Sequence, residues 1–444
     1  MPETNSAGRI CIQFRKATGR VYTINAKQPL LGKVGPNMSR IRLMPTIFVK
    51  YIMKSIYLII CLFFKVNTHK ITFASYRADK LKDNLYFVWE EMQAQYPDYQ
   101  YHFVFKKFHS SLKGKIHYFF HLLRAIYELA TSRLFIIDDY YFPVYVVKPR
   151  KGTEVIQLWH ASGALKKFGL STVGKPFGPS ETYLKHVKIH SNYARVYVSS
   201  AEVIPYYSEA FGMPAKQIYP LGVPRTDYFF SVEKKEQVRK KFMEQYPELM
   251  GKRLILFAPT FRGKSHYQQV FECPLDIRMM KEELAPGYAL LIHLHPYMQN
   301  VVIIEDEEKS FAFHLKDTFT IQELLLLSDM LITDYSTVFF DYSLLGRPIA
   351  FFANDLEQYI GERDFYYDYL DMIPGPFFTK TEQLIDWIIK GAYDLKKVAA
   401  FRNRFFEHID GKATKRIVRH LLGEELESST HIRNYTSDRE KGAI

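Results

Sequence analysis

The sequence predicts an α/β protein in which two doubly wound domains face each other across a cleft, preceded by an N-terminal membrane-associating helical segment. Short apolar runs alternate with amphipathic helical stretches from residue 70 onward, and the alternation restarts after Pro220. The 444 residues, 47% of them apolar, are enough for two domains with cores of ordinary size. No regular repeat indicates a solenoid or a propeller.

The first 43 residues form a basic leader. They carry eight basic side chains and one acidic side chain, which is more than half of the net charge of +13. Because the rest of the chain is nearly balanced, the pattern favours an anionic membrane surface or a solvated tail over a nucleic-acid groove.

Residues 44–66 are the most apolar stretch of the chain. Lys50 and Lys54 interrupt it one helical turn apart, and the uncharged run 55–64 is half the length that a membrane-spanning helix needs. The pattern predicts an amphipathic helix that lies in the membrane interface. A buried first helix of the fold fits the same residues equally well.

The N-terminal domain is predicted over residues 67–220. Amphipathic runs predict helices over 83–96 and 112–131, and short runs rich in β-branched and aromatic residues predict strands. These strands are 70–75, 101–105, 134–138 and 154–159. Strands separated by helices indicate βαβ units and therefore a parallel sheet.

The C-terminal domain is predicted over 221–415, with a polar C-terminal tail over 416–444 and the leader and interfacial helix over 1–66. The domain boundary is placed in the turn-rich segment 219–229. Further strands are predicted over 253–257, 289–293, 330–333 and 348–352. Doubly wound sheets bind ligands at the carboxyl ends of their strands, so polar residues at those ends are the candidates for a site.

Several common enzyme classes lack support in the sequence. Neither GxGxxG after a first strand nor GxxxxGK[ST] is present, and HExxH and GxSxG are missing. The three cysteines lie far apart, which excludes a disulfide scaffold and a thiolate zinc site and favours a reducing compartment. The sequence therefore implies neither a metal nor a cofactor.

His160 is the first candidate for acid–base chemistry, because it ends a predicted strand in QLWHASGALKKFG. It can point into the cleft as a general base, since histidine titrates near neutral pH. Ser162 and Gly163 then form a turn and Lys166 follows, which suits close approach of an anion. A purely structural histidine is the alternative.

His293 and His295 form a second candidate, in LLIHLHPY. A spacing of two places both side chains on the same face of a strand, so one or both can face the cleft. A zinc pair is conceivable, but no third ligand lies nearby in the sequence.

Phosphate-binding candidates follow other predicted strands. One strand ends at Asp334, and Ser336 and Thr337 then stand at the start of a helix expected to run to Gly346, where they can cap it, bind an anion or do both. Two arginines are also candidates, one just after a predicted strand and one within the acidic and aromatic loop 354–369. The planar guanidinium of arginine can donate two parallel hydrogen bonds to phosphate oxygens, although either arginine could form a surface ion pair. They are Arg262, in APTFRG, and Arg363.

Taken in order, several segments resemble the CDP-glycerol glycerophosphotransferase family of teichoic acid synthesis. They are WHASGALKKFG, GVPRTDYF, APTFRG, HLHP, TDYSTVFFDYSLLGRPIAFF and the arginine-containing loop after DLEQY. The resemblance implies a GT-B-like fold and a peripheral location at the cytoplasmic face of the bacterial membrane. It also implies transfer of glycerol phosphate from CDP-glycerol to a hydroxyl of a membrane lipid-linked acceptor, with release of CMP.

The resemblance further implies roles for individual residues. His160 and His295 match catalytic histidines, and we expect His160 to act as the base while His295 neutralises charge on the donor. The residues expected to bind substrate are Ser162, Gly163, Lys166, Arg262, Asp334, Ser336, Thr337 and Arg363. Ala161 stands where many members have glycine, which is closer to the primase type that adds the first unit to the disaccharide on undecaprenyl diphosphate.

Other functions stay open at this point. They are a teichoic acid polyol-phosphate polymerase, a relative that uses CDP-ribitol, a GT-B glycosyltransferase that uses a nucleotide sugar, and a non-catalytic basic protein that binds membrane or nucleic acid through residues 1–66. The expected partners are CDP-glycerol, an undecaprenyl-diphosphate-linked acceptor and an anionic membrane surface, without nucleic acid. The sequence leaves a homo-oligomer open.

Overall fold

The structure, a computed structural model, describes most of the chain. The described residues are 10–15, 21–26, 36–107, 111–175, 177–260, 263–264, 267–268, 273–294, 302, 304–315 and 318–423. The chain divides into two compact units, residues 1–49 and residues 50–444. Within the first unit, β1, Ile10–Arg15, and β2, Val21–Ala26, pair as an antiparallel hairpin in the predicted leader.

Helix α1, Pro36–Phe63, contains the stretch predicted to lie in the membrane interface. In its second half, Met53 and Tyr57 are buried, and the Tyr57 hydroxyl accepts a hydrogen bond from the amide of Arg150 at 2.9 Å. Among the described residues, Leu43–Phe63 is the one helical segment that is long and apolar enough to cross a membrane. Length and composition do not distinguish a spanning helix from an interfacial one, so the interfacial orientation stays a prediction.

Parallel strands form an N-terminal sheet in the second unit. Six are described: β3, Asn67–Ser75; β4, Gln100–Phe105; β5, Ser132–Ile137; β6, Glu154–Gln157; β7, Arg195–Tyr197; and β8, Ile218–Tyr219. Their order is β4-β3-β5-β6-β7-β8. The helices between them are α2, Asp83–Gln95; α3, Leu112–Thr131; α4, Phe142–Val146; α5, Glu181–His186; and α6, Ile204–Phe211.

A second parallel sheet follows in the same unit. Its described strands are β9, Arg253–Ala258; β12, Tyr288–Ile292; β13, Ala312–His314; β14, Met330–Thr333; β15, Ile349–Phe352; and β16, Phe377–Phe378. A small hairpin lies between β9 and β12, formed by β10, Gly263–Lys264, and β11, Tyr267–Gln268. The sheet order is β13-β12-β9-β14-β15-β16, the 3-2-1-4-5-6 order of a Rossmann fold.

The helices of the C-terminal half complete the list of elements. They are α7, Val232–Gln245; α8, Ile277–Leu284; α9, Ile321–Leu327; α10, Val338–Ser343; α11, Leu356–Arg363; α12, Tyr369–Met372; α13, Thr381–Lys390; α14, Leu395–Phe405; and α15, Ala413–Leu422. The strands of both sheets have buried interiors, as parallel strands covered by helices require.

The prediction of an α/β fold with two parallel sheets is confirmed. All eight predicted strands are present, each within a few residues of its expected limits, and the two predicted helices correspond to α2 and α3. Within the two parallel sheets, the strands that the sequence did not reveal, β7, β8, β13 and β16, have only two or three residues each. Runs that short carry no periodic pattern.

Helix α15 corrects the prediction that a polar tail begins at residue 416. Ile417, Val418 and Leu421 are at most 1% exposed and belong to the core of the N-terminal sheet. Asp227 holds the start of the helix by accepting hydrogen bonds from the amides of the first two helical residues, at 2.9 and 2.8 Å. The last helix of the C-terminal half therefore packs on the N-terminal half.

Candidate active site

His160 lies just beyond the carboxyl end of β6, with 33% of its side chain exposed. Strand β6 neighbours β5, and β5 neighbours β3, where the strand order of the sheet reverses. Doubly wound sheets bind ligands outside the carboxyl ends of their strands at such a reversal. The position of His160 therefore matches the one predicted from its place after a strand.

Charged groups from two other strand ends surround the His160 imidazole. Its Nδ1 atom lies 3.4 Å from Oδ2 of Asp139 and 3.4 Å from the carbonyl oxygen of Asp138, both just beyond β5. The same Asp139 oxygen lies 3.1 Å from Nε of Arg77, which follows β3. Burial raises the pKa of Asp139 to about 7, and the Arg77 guanidinium opposes that rise.

Side chains from elsewhere in the fold hold the loop that carries His160 by bonding to its backbone carbonyls. The carbonyls of five consecutive residues, 159–163, each lie within hydrogen-bond distance of a side-chain donor. The donors are Asn84 Nδ2, Arg225 Nη1, the Tyr207 hydroxyl for residues 161 and 163, and the Ser199 hydroxyl. Trp159 has φ +51°, a left-handed conformation that costs free energy in a non-glycine residue and needs such support.

An aromatic cluster packs against the Trp159 ring. It includes Phe168, stacked at a centroid distance of 5.3 Å, and Phe211 and His190, at 5.2 and 5.7 Å. His190 is 1% exposed, and burial lowers its pKa to about 3. The imidazole of His190 is therefore neutral in the folded protein at neutral pH.

Ser162 and Gly163 lie where the loop meets helix α10 of the C-terminal half. Ser162 is 1% exposed, and its hydroxyl donates a hydrogen bond to Asp341. A Cβ atom at Gly163 would lie 2.2 Å from the ring of Phe340, so only glycine fits. Both residues were expected to bind substrate; the structure packs them within this contact between the two halves, and their expected role stays a prediction.

Arg225 completes the same contact. Its Nη2 and Nε atoms lie 2.8 and 3.1 Å from Oδ2 of Asp341, and the two side chains are only 11% and 5% exposed. Arg225 also donates to the carbonyl of His160. The His160 loop is thus bonded to α10 through a buried ion pair.

A segment of the C-terminal half, residues 364–366, lies beside Lys166 and is called the strap below. Residues 364–366 run against residues 165–167, with hydrogen bonds from the Tyr366 amide to the Leu165 carbonyl at 3.0 Å and from the Lys167 amide to the Asp364 carbonyl at 3.2 Å. Lys166 Nζ is 3.3 Å from the hydroxyl of Tyr359.

Two other lysines near the strap place positive charge at this edge of the cleft. Lys167 and Lys175 lie 3.0 and 3.1 Å from the Asp364 carboxylate and lower the pKa of that carboxyl group. Arg363, at the end of α11, stacks over the ring of Phe177 at 5.2 Å. The predicted residues Lys166 and Arg363 therefore belong to one basic region.

The carboxyl ends of β9 and β14, where the order of the second sheet reverses, lie beside Asp334. Asp334 is 2% exposed, and its carboxylate accepts a hydrogen bond from the Thr260 amide at 2.7 Å. It therefore fixes the loop after β9, and its expected role in substrate binding stays a prediction. Ser336 and Thr337 are half-buried just before α10.

Helix α10 is shorter than predicted. It ends at Ser343, whereas the sequence indicated a helix from Ser336 to Gly346. Thr337 occupies the N-cap position without a side-chain capping hydrogen bond. Its hydroxyl is not used to cap the helix, so capping alone does not account for it.

Two predicted residues, Arg262 and His295, lie outside the described residues, so their roles stay predictions. No group of three or more potential metal-ligating side chains occurs in the part of the chain that the structure describes. The expectation that the protein needs no metal or cofactor is not tested by this observation.

The sequence reasoning missed four charged residues of the site: Arg77, Asp139, Arg225 and Asp341. A signal existed for each. Two consecutive acids follow the strand LFII, Arg77 follows KITFAS, and Arg225 and Asp341 lie within motifs already singled out. What the sequence lacked was the strand order that brings them together.

Comparisons with known proteins agree with this architecture. The family model described as CDP-glycerol:poly(glycerophosphate) glycerophosphotransferase matches residues 56–423. The chain is 44% identical over 374 residues to the teichoic acid ribitol-phosphate primase of Bacillus spizizenii, which covers 84% of this chain and 95% of that protein. It is 32% identical over 300 residues to the teichoic acid glycerol-phosphate primase of Bacillus subtilis, which covers 67% of this chain and 75% of that protein.

A solved structure gives the same fold. The wall teichoic acid polymerase TagF superposes with a TM-score of 0.68 at 23% identity, over 86% of this chain and 97% of that one. At this identity the likeness concerns the fold alone. The family match, by contrast, extends over most of the chain and includes His160 and the residues that hold it. The chain belongs to the CDP-glycerol:poly(glycerophosphate) glycerophosphotransferase family, whose members include teichoic acid primases and polymerases.

Proposed function

We propose that this protein transfers a polyol phosphate from a CDP-linked donor to a hydroxyl of a membrane lipid-linked acceptor in teichoic acid synthesis, with release of CMP. The observation that carries the proposal is the bonded contact between the His160 loop and α10. Through Ser162, Arg225 and Asp341, it joins the predicted base to the helix that starts beside the predicted phosphate-binding residues.

The proposed reaction forms one oxygen–phosphorus bond and breaks another. The acceptor hydroxyl attacks the β-phosphorus of the donor, the bond to the CMP oxygen breaks, and His160 takes the proton of the attacking hydroxyl. Ser336, Thr337 and Arg363, with Arg262 and His295, stabilise the charge on the diphosphate and the departing CMP. Lys166 and Lys167 add positive charge beside the strap.

For the donor we favour CDP-ribitol over the CDP-glycerol expected from the sequence. The identity to a ribitol-phosphate primase is 44%, against 32% to a glycerol-phosphate primase. For the step we favour priming, since the similarity to the ribitol-phosphate primase runs through 95% of that protein. Ala161 in the WHASG segment supports the same choice.

For the location we propose peripheral attachment to the cytoplasmic face of the membrane. Leu62 and Phe63 at the end of α1 are 81% and 79% exposed, and Phe120 on α3 is 63% exposed. The rings of Phe64 and Tyr127, 5.4 Å apart, connect α1 to α3. Lysines on both helices accompany this apolar surface, a combination that suits an anionic lipid interface.

Purified protein, a synthetic disaccharide acceptor on a polyprenyl diphosphate, and CDP-ribitol, CDP-glycerol or a nucleotide sugar test the proposal. Mass analysis of the acceptor should show the mass of one ribitol phosphate. A glycerol phosphate increment would reverse the choice of donor, and a ladder of increments would show a polymerase. A hexose increment, or no turnover with any donor, would contradict the proposed function.

The two histidines can be distinguished in the same assay. His160→Ala should lower turnover by about 100-fold to 10,000-fold with donor binding nearly intact, as expected for loss of a base. His295→Ala should weaken donor binding as well, because the charge it neutralises lies on the donor. If His160→Ala keeps more than about a tenth of the turnover, His160 is a structural residue.

A further inference from the structure

The Asp139 carboxylate occupies a site built around it at the end of β5. Its side chain is 7% exposed, and Oδ2 lies between Nε of Arg77 at 3.1 Å and Nδ1 of His160 at 3.4 Å. Oδ1 accepts a hydrogen bond from the Tyr140 amide at 2.6 Å. Both carboxylate oxygens are therefore held, and one of them faces the imidazole.

The side chain of Gln157 fixes the distance between the backbone at Asp139 and the backbone next to His160. Gln157, fully buried at the end of β6, donates from Nε2 to the carbonyl of Asp139 at 3.0 Å. Its Oε1 atom accepts a hydrogen bond from the Trp159 amide at 2.8 Å. One side chain thus joins the strand end that carries Asp139 to the residue that precedes His160.

We propose that Asp139 is a positioning residue that, with Arg77 behind it, holds His160 with Nδ1 protonated, so that Nε2 is the nitrogen that takes the acceptor's proton. The inference deepens the proposed function and rests on it. The physical basis is that the Nδ1 side faces two acceptors, the Asp139 carboxylate and the Asp138 carbonyl, so the tautomer with hydrogen on Nδ1 is favoured. A carboxylate there also stabilises the imidazolium that forms during proton transfer.

The arginine is a necessary part of this arrangement. Burial and the neighbouring Asp138 both raise the pKa of Asp139, whereas Arg77 lowers it. Burial opposes the charge on Arg77, but Asp139, Asp138 and Asp83 raise the pKa of Arg77 above its ordinary value, so the guanidinium keeps its charge. Loss of Arg77 would raise the pKa of Asp139 further, and a protonated Asp139 could not stabilise an imidazolium.

The competing interpretation is an ion pair that only stabilises the fold. Glu128 provides a matched control, because its carboxylate lies 2.6 Å from Lys70 with both side chains 6% exposed, and it belongs to a different cluster. Glu128→Gln should lower the melting temperature about as much as Asp139→Asn but leave the turnover and its pH dependence unchanged.

The decisive experiment compares Asp139→Asn, Asp139→Glu and Glu128→Gln with the wild type. Asp139→Asn should lower kcat by about 100-fold to 10,000-fold with the KM for the donor nearly unchanged, and should move the acid limb of the pH–rate profile to lower pH. Asp139→Glu should recover part of the loss. A kcat within about threefold of the wild type for Asp139→Asn, or equal losses for Asp139→Asn and Glu128→Gln, would overturn the proposal.

A measurement without turnover separates this inference from the proposed function. In protein labelled with nitrogen-15 histidine, the His160 signals, assigned by their loss in His160→Gln, should show hydrogen on Nδ1 in the wild type and a changed tautomer balance in Asp139→Asn. The same tautomer in both proteins would overturn the positioning role. A wild type without turnover but with the expected signals would contradict only the proposed function.

Discussion

Replacement of Asp341 by alanine tests whether the contact between the two halves is a main source of stability. The Asp341 carboxylate is almost completely buried and binds Arg225 through two nitrogens and Ser162 through its hydroxyl. Its removal leaves a guanidinium that is 11% exposed without its counter-charge. Removal of one partner from a buried ion pair typically costs about 3 to 5 kcal/mol of the free energy of unfolding.

The expected loss in the free energy of unfolding corresponds to a change in melting temperature that depends on the size of the protein. An unfolding entropy of about 2.1 cal/mol/K per residue, over roughly 370 residues, gives about 0.8 kcal/mol for each degree. Asp341→Ala should therefore melt about 4 to 6 °C below the wild type by calorimetry. Asp386→Ala is the control, since Asp386 lies 3.9 Å from Lys390 on the surface, and it should shift the melting temperature by less than about 1 °C.

A double-mutant cycle identifies the interaction. Arg225→Met should also lower the free energy of unfolding. The double variant, with both Arg225→Met and Asp341→Ala, should lose less free energy of unfolding than the sum of the two single losses, by about 1 kcal/mol or more. Additive losses, or an Asp341→Ala variant that melts within about 1 °C of the wild type, would refute the reasoning.

The remaining predictions concern the membrane, the donor and pH. High salt should release the protein from anionic membranes, because each basic residue near the surface contributes about 1 kcal/mol, and extraction by detergent alone would indicate an embedded α1. Replacing Ser336 and Thr337 by alanine should raise the KM for the donor and leave the melting temperature nearly unchanged, whereas an unchanged KM with a lowered melting temperature would show that both residues only stabilise the fold. The neutral state of His190 makes the folded protein lose stability as pH falls below 6.5, since the unfolded chain binds a proton there that the folded chain, with its pKa of about 3, does not. The loss is about 1.4 kcal/mol per pH unit, and His190→Asn, which suits φ +58°, should show a smaller drop in melting temperature between pH 7 and pH 5. An equal drop in both proteins would contradict the assignment.

The sequence predicted the long elements because parallel strands buried on both faces leave continuous apolar runs. Strand β16 has only Phe377 and Phe378, and nothing in two residues distinguishes a strand from a loop. Helix α10 was expected to reach Gly346, but the regular helix ends at Ser343 and the chain turns before the left-handed Gly346. Local pattern gives the type of an element better than its end.

The candidate site was predictable where it depends on strand ends and not where it depends on distant contacts. His160 could be singled out because it follows an apolar run. The contact of Ser162 with Asp341 could not be predicted, because Asp341 lies 179 residues away in the sequence. Asp139 was missed for a related reason, because the pairing of β5 with β6 decides which side chain the imidazole faces.

The position of α15 separates the order of synthesis from the order of folding. The N-terminal sheet is made by residue 219, yet Ile417, Val418 and Leu421, which complete its core, leave the ribosome about 200 residues later. Until then, the apolar surface that they cover stays open to water and to chaperones. The N-terminal half should therefore resist protease during translation only once the whole second sheet has been made, so that the two halves mature together.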